Sequence, residues 1–230
     1  MSQQRRSMPM KPLAVAVRAA AFDMSPDPSL VIGGEGELVA ANEAAEGLFG
    51  RGLSLLMRGS FRDALPVGSS LVALINVTAT AAQRDIVVKF DAAGTLREWA
   101  FDVDSADKLV LNIFDESVDI IASRTSDSAI TMGSWRVFGA SYDGTGGATA
   151  ANGITLHQDG VVIASTATNN ASYVAMENLA LVVEIGSQNV GAANFFDGSM
   201  ALVAVCAGAL TTAKHLAITH LCRRFFGVPA

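Results

Sequence analysis

Cysteine, tryptophan and tyrosine occur twice each in this 230-residue chain, and histidine three times. Two cysteines cannot form the framework of a disulfide-rich scaffold. Cys206 and Cys222 read as buried free thiols, with a single disulfide as the alternative. His215 and His220 are five positions apart, off one helix face, and His157 is far from both, so no zinc-ligand spacing is present. A G-x-S-x-G elbow, a P-loop and a dinucleotide fingerprint are also absent. Charged residues are sparse, at 17%, and 16 Lys and Arg against 22 Asp and Glu leave a net charge of −6. That balance excludes a nucleic-acid-binding surface over the body of the chain, because phosphate recognition needs clustered cations. No apolar run reaches the roughly 20 uncharged residues that span a bilayer.

Apolar residues, by contrast, make up 50% of the chain. A buried core absorbs part of that surplus, and a subunit interface is the natural place for the rest. The reading is therefore a homo-oligomer or an assembly subunit. Residues 1–33 read as a basic arm, with Arg5, Arg6, Lys11 and Arg18 and no acid before Asp23. Its twin arginine is suggestive of an export signal, but Arg18 interrupts the short apolar run.

From residue 67 onward the pattern is strand and turn. "SSLVALINVTA" (69–79), "RDIVVKF" (84–90), "LREWAFDVD" (96–104), "ADKLVLNIFDES" (106–117) and "SVDIIAS" (117–123) read as strands. In the third, Trp99, Phe101 and Val103 alternate inward while Glu98, Asp102 and Asp104 point outward. "SWRVFGASYDG" (134–144) alternates likewise and stops at Asp143-Gly144, with Trp135 read as core. "GITLHQDGVVIAST" (153–166) is a hairpin around Asp159-Gly160, a pair suited to a type I′ turn. "LALVVEIGS" (179–187) and "GSMALVAVCAG" (198–208) complete the series. The stretches 143–153 and 165–172 read as loops. The period then changes in "LTTAKHLAITHLCRRFFGV" (210–228). Thr211 or Thr212 caps a helix over 210–227, and Ala217, Ile218, Leu221, Cys222, Phe225 and Phe226 form its packed face. His215, Thr219 and Arg223 lie on the wet side, and Gly227 ends it.

This ordered set resembles the concanavalin A-like, laminin-G-type jelly roll. The carriers are the Trp-led strand with its "SYDG" end, "ITLHQDG", "VEIGS", "FFDGSMALVAV" and the closing helix. His157 stands where that hairpin more often has Tyr. The resemblance covers about residues 65–228, more loosely from 36. It implies an all-β, two-sheet antiparallel jelly-roll sandwich over 34–230, with one C-terminal amphipathic helix after the arm. A rival reading is a PAS-type sensory module over residues 21–100, on the strength of "SPDP" and "GELVAANEAAEGLFG". In the jelly-roll reading, "GELVAAN" and "LSLLMRGSF" (53–61) are the first strands.

The closing helix is similar to those of bacteriophage and bacterial surface versions of the fold. The resemblance thus implies a non-enzymatic structural or adhesive module: a virion component such as a head decoration, head fibre or tail protein, or an extracellular or cell-surface protein. Its partners would be other virion or surface subunits, with a surface glycan as ligand. Tyr142, Asp143, Asn169, Asn170 and Tyr173 are the candidate ligand-binding rim, and the arm's cations the docking segment. A calcium-dependent, lectin-like protein is the alternative, and calcium the one cofactor implied. Its candidate ligands, Asp143, Asp159 and Asp197, each also belong to an Asp-Gly turn pair. Glu98, Asp102 and Asp104 lack the paired-carboxylate pattern of sandwich glycosidases, so no enzyme is expected.

Overall fold

A computed structural model of the chain describes residues 68–227 apart from 79–80 and 94, together with a short hairpin nearer the N-terminus. Two compact units divide the chain, residues 1–57 and 58–230. In the first, β1 (Leu30–Ile32) and β2 (Leu38–Ala41) pair antiparallel in a sheet of their own. "GELVAAN" thus supplies a strand, but its partner is β1. Arg5, Arg6, Lys11 and Arg18 lie outside the described residues, as does 53–61.

The second unit contains β3 (Ser69–Val77), β4 (Arg84–Asp91), β5 (Leu96–Val103), β6 (Leu109–Asp115), β7 (Ile120–Ser126) and β8 (Trp135–Tyr142). It continues with β9 (Ile154–Gln158), β10 (Val161–Val162), β11 (Ser165–Thr168), β12 (Glu184–Ile185), β13 (Gly198–Ala207) and the helix α1 (Thr212–Phe226). Every strand pairing is antiparallel. A five-stranded sheet runs β10-β9-β8-β3-β13, and a six-stranded sheet runs β11-β7-β6-β5-β4-β12. This is the two-sheet antiparallel jelly-roll sandwich with one C-terminal helix. β3 to β5 are built into it, with β3 held between β8 and β13. A complete PAS fold over 21–100 would need those same strands, so that rival reading is overturned.

The core lies between the sheets. From one side come Leu71, Ala73 and Ile75 of β3, Phe138 and Ala140 of β8, and Leu156 of β9. Val87, Trp99, Phe101, Leu111 and Ile113 face them from the other. Each such large side chain contributes about 1.5–3 kcal/mol by leaving water. Alternation therefore places Trp99, Phe101 and Val103 correctly. It misplaces Trp135, which pairs with Asn76 and stands half-buried on the outer face of its sheet. The acids of β5 are not at the water either: Glu98 is 1% exposed and Asp102 2%. As the extra residue of a bulge in β5, Glu98 meets Lys89 at 2.6 Å, and both are buried.

Two strand boundaries differ from the periodicity. The apolar run 179–187 shrinks to Glu184–Ile185. Upstream of it the Leu179 amide donates to the Glu98 carboxylate at 2.6 Å, a side-chain partner in place of a ladder bond. "STAT", read as loop, is β11, paired with β7 along its whole length. Its two threonines are β-branched and suit a pleated surface.

α1 packs on the outer face of the five-stranded sheet. The Thr211 side chain caps it by accepting from the Lys214 amide, and Gly227 closes it at φ 64°. Its buried face is rotated from the expected one. His215, Ile218, Thr219 and Cys222 face the sheet, while Ala217, Phe225 and Phe226 are exposed. The reason is a set of polar anchors that hydrophobic periodicity does not see. His215 Nε2 shares a 2.8 Å hydrogen bond with Ser141 Oγ. Ser141 also donates to the Leu210 carbonyl and bonds Ser70 at 2.9 Å, and Ser70 accepts from the Leu210 amide. The His215 ring stacks on His157 at 3.9 Å between centroids. Gly139 leaves room for that ring, since a Cβ there would lie 2.6 Å from His215 Nδ1. Gly160, at φ 80°, similarly lies against the Leu216 backbone. Cys206 and Cys222 are buried free thiols.

Candidate functional site

At one end of the sandwich, β8 runs into the loop 143–153. Tyr142 is 5% exposed, and its hydroxyl donates to the Thr145 carbonyl at 2.9 Å. Tyr173 is 1% exposed, inside the main core. Burial pushes the Tyr142 phenol up to about 12, with the Asp143 charge adding to the effect. Neither ring offers a face to a ligand, which corrects the expectation of a stacking rim. Alternation along "SWRVFGASYDG" put Tyr142 on the side away from Trp135, but it is that side which faces the core.

The polar members of the rim do come together. Asp143 Oδ1 accepts from the Thr145 amide at 2.8 Å, and the Asp143 amide donates to the Gly153 carbonyl at 3.1 Å. Next to Gly153, Asn152 Oδ1 accepts from Asn169 Nδ2 at 2.9 Å, and Asn169 Oδ1 accepts from the Ala151 amide. Asn170 Oδ1 accepts from the Ser172 amide. Asp143 and Asn169 thus share one loop cluster, each with a carbonyl or carboxylate oxygen already engaged by backbone.

Asp159 and Asp197 belong elsewhere. In the β9–β10 turn Asp159 has φ 53° and binds Arg136 at 2.9 Å, with Arg223 at 3.7 Å. Two guanidinium groups already neutralise that carboxylate. Asp197 precedes β13, where its carbonyl accepts from the Thr78 amide. Among the described residues, no three His, Cys, Asp or Glu side chains gather as a metal site. Glu98 is tied to Lys89 and the Leu179 amide, and Asp104 accepts from the Ala106 and Lys108 amides in a turn. Neither is placed as a free acid or nucleophile.

The outer face of the six-stranded sheet presents a second constellation, absent from the sequence reading. Strand register sets Asp85, Asp102, Val110, Thr125 and Thr166 in one row across β4, β5, β6, β7 and β11. The neighbouring row is Val88, Ala100, Asn112, Ser123 and Thr168. The rows are buried at the β4–β5 end, half-buried at Asn112, Ser123 and Thr125, and open at Thr166 and Thr168. Asn112 Nδ2 donates to Asp102 Oδ2 at 3.0 Å, and Thr166 Oγ1 to Asp127 at 2.7 Å. Burial holds Asp102 well above the usual carboxylate range, and the neighbouring Asp85 adds to it. Burial likewise raises Asp85 to about 7. No cation stands in either row. The signal was in the sequence: Ser123 and Thr125, then Thr166 and Thr168, repeat at period two.

The two rows hydrogen-bond without carrying positive charge, while farther along the same side of β6 Arg97 stands over the Phe114 ring at 5.5 Å. Their graded exposure gives a shallow polar surface with both donors and acceptors.

The Laminin_G_3 family, described as the concanavalin A-like lectin/glucanases superfamily, matches residues 63–214. No curated protein matches the chain. Among solved structures, the CBM40 domain of the Ruminococcus gnavus IT-sialidase bound to α2,3-sialyllactose is 13% identical, with a TM-score of 0.52 over 66% of this chain and 82% of that one. The same domain bound to α2,6-sialyllactose gives 14% identity and a TM-score of 0.51, over 68% and 84%. With the family matched across most of its length and the two-sheet fold in place, the chain belongs to the concanavalin A-like lectin/glucanases superfamily.

Proposed function

We propose that the sandwich is a non-catalytic glycan-binding module whose ligand lies on the outer face of the six-stranded sheet. The observation that carries this reading is the pair of cross-strand rows ending in Asn112, Ser123, Thr125, Thr166 and Thr168. Hydroxyl and amide side chains at strand spacing match the spaced hydroxyls of a sugar. The resemblance in fold to carbohydrate-binding domains supports it further. The charge of the face narrows the ligand to neutral sugars. Neither row holds a Lys or Arg to meet an anion, and Asp127 stands beside Thr166 at the open end.

A glycan array with the purified protein tests this. Neutral oligosaccharides should bind and sialylated ones should not, and Ser123→Arg should abolish binding without lowering the melting temperature. Failure to bind any neutral glycan, or binding unchanged in Ser123→Arg, would sink the proposal.

The setting we propose is an assembled one, as a subunit of a virion or a cell surface. What supports assembly is apolar surface among the described residues: Phe225 and Phe226 at the end of α1, and Val161 and Val162 on β10.

A further inference from the structure

We propose that the stacked His157–His215 pair is an acid-released latch: protonating it lifts α1 from the five-stranded sheet while the sandwich stays closed. Strand register places His157, Gly139, Val72 and Ala204 in one row on the outer face of that sheet. Thr155, Ser141, Ser70 and Cys206 form the next row. His215 enters from α1 against both. Its ring lies 3.9 Å from that of His157 at an interplanar angle of 17°, and its Nε2 is 2.8 Å from Ser141 Oγ. Gly139, with no side chain, leaves the space for the ring. His157 Nε2 in turn reaches Thr212 Oγ1, in the first turn of α1, at 3.4 Å.

Little else ties the helix down. Its buried residues are His215, Ile218, Thr219 and Cys222, and Thr219 donates its hydroxyl to the His215 carbonyl within the helix. Elements that bury few apolar side chains open at the lowest free energy. No described strand follows α1, so it can leave without unpairing a ladder.

The surroundings of the pair are neutral or cationic. β3, β8, β9, β10, β13 and α1 contain no Asp or Glu. Their charged groups are Arg136 on β8 and Lys214, Arg223 and Arg224 on α1. The other titratable groups on these elements are His220, Cys206, Cys222 and the core-facing Tyr142. At the β9–β10 turn Asp159 holds Arg136 at 2.9 Å and Arg223 at 3.7 Å, and Asp143, just past β8, accepts from the Thr145 amide. Burial lowers His157 to about 4, and burial together with the adjacent His157 lowers His215 to about 3. On a detached helix and an uncovered sheet both return to about 6.5. The docked state thus binds fewer protons than the released one, and its advantage, complete above pH 6.5, is lost as pH falls. Between pH 7.5 and pH 5 the two groups together shift the balance towards release by on the order of a hundredfold or more.

Thiol labelling of the full chain with dithiodipyridine tests the inference, because Cys206 lies in the row of Ser70 and Ser141 and Cys222 on the buried face of α1. Relative to urea-unfolded protein at the same pH, wild-type Cys222 should label on the order of a hundredfold faster at pH 5 than at pH 7.5, with Cys206 following it. Amide exchange at pH 5 should show 215–222 opening while 71–75 in β3 stays protected. His157→Gln/His215→Gln should reduce the pH dependence of labelling to about threefold or less. Wild-type labelling that does not change with pH, loss of β3 protection together with α1, or an equal acid response in the double variant would overturn it. The first two outcomes are read on wild type alone, so the test stands even where the variant folds poorly.

Discussion

Gly139→Ala, a change of one methyl group in the middle of β8, should loosen the C-terminal helix. The new Cβ would lie 2.6 Å from His215 Nδ1 and 2.7 Å from Cε1, where ordinary contact begins at 3.4 Å. The imidazole must then retreat by about 0.8 Å, the difference between 3.4 and 2.6 Å, away from the sheet. Ser141 is in that sheet, so its 2.8 Å bond to His215 would stretch to about 3.6 Å and be lost. Overpacking of this kind costs about 1–3 kcal/mol. An unmade buried hydrogen bond costs a similar amount. Alanine returns about 0.4–1 kcal/mol by restricting the unfolded chain. The net expectation is about 2–4 kcal/mol, or on the order of 5–15 °C in melting temperature. Urea and thermal melts of the single and double variants would measure it. In a His215→Ala background the ring is gone, and Gly139→Ala should become nearly neutral. A neutral single variant, or strictly additive effects in the double, would refute the packing argument.

Four further outcomes follow from buried groups. His157 and His215 are pushed down to about 4 and about 3 by burial, from an unfolded value near 6.5. Below pH 6.5 the unfolded chain takes up protons that the folded one refuses, so stability should fall between pH 6.5 and about 3. His157→Gln/His215→Gln should flatten that slope. Asp85 acts in the opposite sense: with its pKa raised to about 7, its contribution is complete near pH 4 and lost as pH rises through 7. Asp85→Asn should therefore gain stability over wild type at pH 8, and an equal loss at pH 5 and pH 8 would contradict the assignment. Lys89→Met leaves the buried Glu98 without its cation and should cost about 3–5 kcal/mol in urea melts, whereas Lys89→Met/Glu98→Leu should recover most of it. Cys206 and Cys222, both buried and raised to about 12 and about 11, should resist a thiol reagent in native protein and react fully in urea.

Much of the sandwich was legible because alternation and turn chemistry are local. β4, β5, β8 and the Asp159 hairpin follow from runs of five to eight residues and a dipeptide. The helix was legible as a helix but not in its facing. Its apolar residues sat on two sides, and the choice was made by Ser70, Ser141 and His157, which lie far away in sequence. The candidate rim fared similarly. "SYDG" announces a turn, yet whether Tyr142 looks out or in depends on where loop 143–153 returns. The polar rows of the six-stranded sheet were least visible. Each strand shows only two or three of the residues, and the rows exist only once five strands are in register. Glu98 misled for a related reason. Outward on a strand means exposed only when nothing covers that side, and a lysine on the neighbouring strand and the backbone of Leu179 both meet it.

The position of β3 sets the order in which this molecule can be made. It is the second strand from one edge of its sheet, and both neighbours come late: β8 begins at Trp135 and β13 at Gly198. The bond from Ser70 to the Gly208 carbonyl spans 138 residues. A ribosome therefore delivers β3 long before anything can pair with it, and the strand must wait, apolar and unpaired, until almost the whole domain has emerged. Loop closure over such distances is slow. The sandwich should close only after β13 has emerged, and "SSLVALINV" is the segment a chaperone would be expected to hold in the meantime.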